Sequence, residues 1–89
     1  MKALNLPVEM ISLCAVDGVL RPLRFRYEGD GHQLQTVKVN EVLVAKELNY
    51  VGIQSYLFIC KAFLNDKELI FELRYTVTTH RWVLFRMIN

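Results

Sequence analysis

Nowhere in these 89 residues does an apolar run approach the roughly 20 residues that a membrane-spanning helix needs. Neither CxxC nor HxxxH occurs, which removes the usual ligand spacings of zinc knuckles. No glycine-rich phosphate loop, internal repeat or low-complexity segment is present. Like charges do not gather into a block, so no solvated tail is expected. A helical apolar period long enough to sustain an α-helix is missing too. What these absences leave is one small domain built from strands.

The composition agrees. Hydrophobic residues make up 53% of the chain, against roughly 45–50% in typical soluble domains even with glycine counted. A domain this short removes only about 60–65% of its unfolded surface from water, so some apolar surface is expected to be shared with a partner. The formal charge of +2 is mild for a dedicated phosphate-backbone binder. At the start, Lys2 and the apolar residues after it suggest a secretion signal, but Asn5, Pro7 and Glu9 interrupt the run. Bulky Leu13 before Cys14 also argues against lipid attachment there. The expectation is an intracellular, cytoplasmic protein with no membrane association.

Three period-2 runs dominate the C-terminal third: Tyr56–Leu64, Leu69–Val77 and Trp82–Ile88. Leu69, Phe71, Leu73, Tyr75 and Val77 alternate with Glu72, Arg74 and Thr76, and only Ile70 breaks the pattern. Successive strand side chains point to opposite faces, so the run predicts an apolar ladder inside and a polar one outside. Upstream, Glu9–Val16 and Val19–Tyr27 flank Asp17-Gly18, a hairpin signal for a type I′ turn. Pro22, lacking an N–H, belongs at a strand start, a bulge or an edge. Gly29-Asp30-Gly31 is a second turn, leading into Leu34–Asn40. Glu41–Asn49 is ambiguous between strand continuation past a bulge and a helix-like turn, and its β-branched content favours the strand. Asn49–Gln54 reads as a loop. Together these predict an all-β, antiparallel six-strand meander, either a small SH3-like or OB-like barrel or a strongly curved sheet.

Candidates for chemistry are few. Cys14, His32, Cys60 and His80 carry metal-ligating atoms at unsuitable spacing, and the two cysteines, both in strand-like apolar stretches, read as buried thiols. Cys60 follows Leu57-Phe58-Ile59, surroundings that raise a thiol pKa and leave it inert. No two carboxylates are spaced as an acid–base pair. No catalytic residue, metal or cofactor is therefore expected. Arg21, Arg24, Arg26, Lys38 and Arg74, with Tyr27, Tyr75 and Trp82 as aromatics, could bind single-stranded nucleic acid by stacking beside a basic groove. Yet Tyr27 and Tyr75 alternate in phase with Phe25 and Leu73 and so should face the core. The blander expectation pairs Arg24 and Arg26 with Glu28 or Glu72 across strands. Leu57, Phe58 and Ile59 are consecutive, and the last strand is apolar on both faces, which suggests a homodimer or a docking surface on that strand.

Arg21-Pro22-Leu23-Arg24-Phe25-Arg26-Tyr27-Glu28, then His32, Val37 with Val39, Tyr56 with Cys60, Glu72-Leu73-Arg74-Tyr75 and His80-Arg81-Trp82-Val83-Leu84 form a further pattern. It resembles one found in small all-β proteins of clostridia-like bacteria, a family with no assigned activity. The resemblance covers most of the chain after residue 20, implies a bacterial intracellular origin, and carries over no functional residues. Some members of that family place a cysteine near the position of His80. The resulting expectation is a non-enzymatic interaction module with a protein partner or a second copy of itself. Its candidate surface comprises Trp82, Phe85, Leu57, Arg24, Arg26 and Arg74. The alternative is single-stranded nucleic-acid binding through Arg24, Arg26, Lys38 and Arg74. What accompanies Arg24 and Arg26 on their face discriminates the two: aromatic neighbours favour nucleotides, an apolar rim favours protein.

Overall fold

A computed structural model describes residues 3–89 and contains seven strands. These are β1 (Leu6–Cys14), β2 (Leu20–Glu28), β3 (Leu34–Lys38), β4 (Glu41–Tyr50), β5 (Ile53–Leu64), β6 (Lys67–Thr76) and β7 (Arg81–Met87). A single 3-10 turn, Asp30–His32, precedes β3. The strands form one antiparallel sheet in the order β3-β2-β1-β7-β6-β5-β4. This is a meander whose first and last strands pair, opened between β3 and β4.

Of the two expected forms, the strongly curved sheet is the one observed and the closed barrel is not, and the strands number seven where six were expected. Val39 and Asn40 join β3 to β4 without positive φ, so no tight reversal occurs there. The Val39 N–H donates to Leu23 O on β2, and the next N–H, that of Asn40, donates to Lys61 O on β5. The chain is thus handed from one end of the sheet to the other as a bent extended segment. Because β3 and β4 continue one another, they cannot lie side by side, and the sheet curves strongly without closing. Strand continuation through β4 holds, with a bulge between Val42 and Val44.

Curvature folds the two ends of the sheet over one interior. Phe25 and Val37 come from β2 and β3; Phe58, Cys60, Ala62, Phe71, Leu73, Trp82 and Leu84 come from β5, β6 and β7. The Phe25 and Phe71 rings meet edge-on at 5.5 Å, and Trp82 packs against Phe58 and Tyr75 at 5.5 and 4.9 Å. Offset and edge contacts of this kind add about 0.5–1.5 kcal/mol per pair beyond area burial. Tyr27 and Tyr75 pack against this core, as their alternation predicts. Met87 joins them, contrary to the simple period, because the β6–β7 register shifts between Glu72 and Leu73.

β1 starts at Leu6, earlier than the pattern predicts. Pro7 lies opposite Val83 of β7, ahead of the first β1–β2 pair at Glu9, so its missing donor interrupts no ladder toward β2. Pro22 is buried beside the β2 bulge, where the register skips Leu23.

The turns differ from expectation in type. Ala15 N–H donates to Val19 O, and Gly18 N–H donates to Ala15 O. Gly18 alone has positive φ (89°). That is a three-residue loop with a type I turn and a glycine bulge, in place of the expected type I′ turn. Between β4 and β5 the expected loop is instead a two-residue turn, with Val51 at φ 52° and Gly52 at φ 78°. A β-branched residue in the left-handed region costs about 1–2 kcal/mol, and Val51 is exposed, so its side chain offers little packing in return. Val51→Asn is therefore expected to stabilise the protein by about 1 kcal/mol. Thermal denaturation followed by circular dichroism should show Tm rising by about 4–8 °C.

Candidate functional site

The sheet has two outer surfaces, and the residues singled out in the sequence divide between them. On β1–β3, Arg21 lies opposite Leu13, Arg24 opposite Ile11 and Lys38, and Arg26 opposite Glu9 and Thr36. These pairs share the face turned away from Phe25. Ile11, Leu13 and Leu23 are all exposed. A shallow groove of about 300 Å³ runs between Ile11, Leu23, Arg24, Lys38 and Val39.

Charge on this face is unbalanced. Arg26 pairs with Glu9, and Glu28 pairs with His32. Among the described residues, Arg21, Arg24 and Lys38 have no ionic partner. The expected pairing of Arg24 and Arg26 with Glu28 or Glu72 does not occur, because the β1–β2 register brings Glu9 to Arg26 and because Glu72 lies on β6 with other arginines. The neighbours of Arg24 are aliphatic, not aromatic.

The second surface is the outer side of β5–β7. Leu57 lies opposite Arg74, which lies opposite Val83; Ile59 lies opposite Glu72, which lies opposite Arg86. Leu57, Arg74 and Phe85 therefore come together, which corrects the grouping of Arg74 with Arg24, Arg26 and Lys38 on one basic face: Arg74 lies on β6, away from β2 and β3. The Arg74 guanidinium stacks over the Phe85 ring, 3.6 Å from its centre. Glu72 is the unexpected member: it sits among residues predicted to be polar and wet, yet only 1% of it is exposed. Arg74 Nε donates to one carboxylate oxygen at 2.6 Å, and Arg86 Nε to the other at 2.7 Å. A buried carboxylate is tolerable only when its oxygens are satisfied in this way.

Trp82 belongs to neither surface. It is 7% exposed within the core, because it alternates in phase with Leu84, so its grouping with Phe85 and Leu57 on one surface is corrected. β7 lies between β1 and β6 in the sheet, so the C-terminal strand does not form a free edge for docking.

The cysteines also separate. Cys60 is fully buried, and burial pushes its thiol up to about 12. Cys14, expected to be buried, is exposed at the end of β1, which there extends past its pairing with β7. In the folded protein at pH 8, Ellman's reagent should titrate Cys14 alone. Burial both raises the Cys60 thiol pKa and keeps the reagent from its sulfur, so Cys60 should react only on unfolding.

Of the histidines, His32 pairs with Glu28 on the open surface. His80 Nδ1 lies 2.9 Å from the Tyr75 hydroxyl, beside the groove where β1 parts from β7. Among the described residues, no three His, Cys, Asp or Glu side chains are grouped to hold a metal ion, and no helix is long and apolar enough to cross a membrane.

Comparison with protein-family models, with curated proteins and with solved structures gives no match to this chain.

Proposed function

We propose that this chain is a non-enzymatic interaction module whose β1–β3 outer face docks an acidic, partly apolar segment of a protein partner. The observation that carries the reading is the company of Arg24: Ile11, Leu13 and Leu23 are exposed around a cationic cluster whose Arg21, Arg24 and Lys38 have no carboxylate partner among the described residues. Aliphatic side chains contribute apolar contact, and the unpaired cations supply charge complementarity and orientation. Stacking of nucleic-acid bases instead needs exposed aromatic rings beside the cations. Here Tyr27 and Tyr75 pack on the core, and the exposed rings Tyr50 and Phe63 lie on β4 and β5.

Fluorescence anisotropy with a labelled peptide of alternating glutamate and valine, its glutamine counterpart and a 12-residue oligothymidylate tests the reading. The glutamate peptide should bind, more weakly as salt rises. Arg24→Glu should weaken that binding at least tenfold, with a circular-dichroism spectrum like that of the parent. Tighter binding of the oligothymidylate would transfer the face to nucleic acid. Equal binding of the two peptides would remove the charge argument. Light scattering separates the remaining case, self-association, by a mass that grows with concentration.

A further inference from the structure

The geometry points to a second, separate recognition site on the opposite surface: we propose that Arg74 and Arg86, held by buried Glu72, receive one carboxylate of a partner polypeptide. The argument begins with what the two guanidiniums leave uncommitted. Each reaches Glu72 through Nε, and among the described residues neither forms any other hydrogen bond. Arg74 is fixed twice, by Glu72 along one edge and by the Phe85 ring beneath its plane. Its Nη pair is a fork whose direction is already set, and 35% of that side chain remains open to water. Arg86, bonded to the other oxygen of the same carboxylate, is 39% open. A planar fork of this kind matches a carboxylate bidentately and loses little rotamer freedom on binding.

Charge selects the ligand. Two arginines against one carboxylate leave a single surplus positive charge. Nearby Lys61 lies between Glu41 and Glu68, a group with one negative charge in excess that offsets part of this surplus, so the site suits a weakly charged anion. One carboxylate neutralises that surplus, whereas a phosphate would exceed it. The register places Leu57, Ile59 and Val83 beside the arginines, so the recognised acid should be flanked by aliphatic residues. Glu72 acts as the positioning residue. For stability alone, apolar side chains often serve as well as a buried ion cluster, whereas orienting two forks requires a carboxylate.

The test is a nuclear magnetic resonance titration of the full ¹⁵N-labelled chain, following the arginine Nε–H signals. Probes are the blocked tripeptides Leu-Glu-Leu and Leu-Gln-Leu and inorganic phosphate. The glutamate peptide should produce saturating shifts at Arg74 and Arg86, at least tenfold weaker with the glutamine peptide. Arg86→Gln should abolish the response, while Arg24→Glu on the other face should retain it. No saturating shift at Arg74 and Arg86, equal responses to both peptides, or tighter binding of phosphate would each overturn the proposal. The parent titration decides the matter even if Arg86→Gln fails to fold. Shifts confined to Arg21 and Arg24 would sink this site and leave the β1–β3 reading standing.

Discussion

Replacing Glu72 by alanine should cost about 3 kcal/mol, the lower end of the range for removing one partner from a buried ion cluster. The lower end applies because the two arginines are more than a third open to water, where solvent screens their repulsion. Glu72 itself is shielded and accepts from both, so its loss leaves two cations facing each other across a vacated space. Against a total stability of about 5–15 kcal/mol for a domain, that is a large fraction. Equilibrium urea denaturation, followed by the fluorescence of Trp82, measures it. The concerted change Glu72→Leu, Arg74→Leu, Arg86→Leu should recover much of the loss, since no buried charge then lacks a partner. A cost below about 1 kcal/mol for the alanine variant would mean that the cluster is held together no more firmly than a surface pair.

The same cluster shows how far the sequence can be read. Alternation of Leu69, Phe71, Leu73 and Tyr75 identifies the inner ladder of β6 correctly, because two-residue periodicity is a property of the strand alone. Burial of Glu72 is a property of three strands. It depends on Arg86, 14 residues away, arriving opposite through a register that the β7 bulge resets. Positive φ at Val51 is equally silent, since turn rules favour asparagine or glycine there, and only the pairing of Tyr50 with Ile53 reveals the tight reversal. The failure to close is likewise invisible in Val37, Lys38 and Val39, which alternate as any strand would. It arises because successive N–H groups at Val39 and Asn40 find acceptors on different strands. Of the candidate surface, the shared face of Arg24 and Arg26 is legible by phase, whereas the meeting of Leu57, Arg74 and Phe85 depends on cross-strand register and is not. The place of Trp82 is not legible either, because a strand apolar on both sides does not announce which side is dry.

Phe71→Ala tests whether that dry side is one interior or two. Phe71 is 1% exposed and meets Phe25 edge to face, so it joins the β1–β3 end of the sheet to the β5–β7 end. Truncating a buried phenylalanine costs about 3–5 kcal/mol through lost transfer energy and an unfilled cavity. With a urea m-value of about 1–3 kcal/mol/M, a loss near 4 kcal/mol moves the midpoint by about 2 M. Phe63→Ala is the control, because Phe63 is 58% exposed and a surface change should stay within about 0.5 kcal/mol. If the curved sheet encloses a single core, the Trp82 fluorescence and the far-ultraviolet circular dichroism of Phe71→Ala should still fall together in one transition. Separate transitions would divide the molecule into two independently folding sheets. A midpoint no lower than that of Phe63→Ala would show that the two ends of the sheet do not depend on each other through this ring.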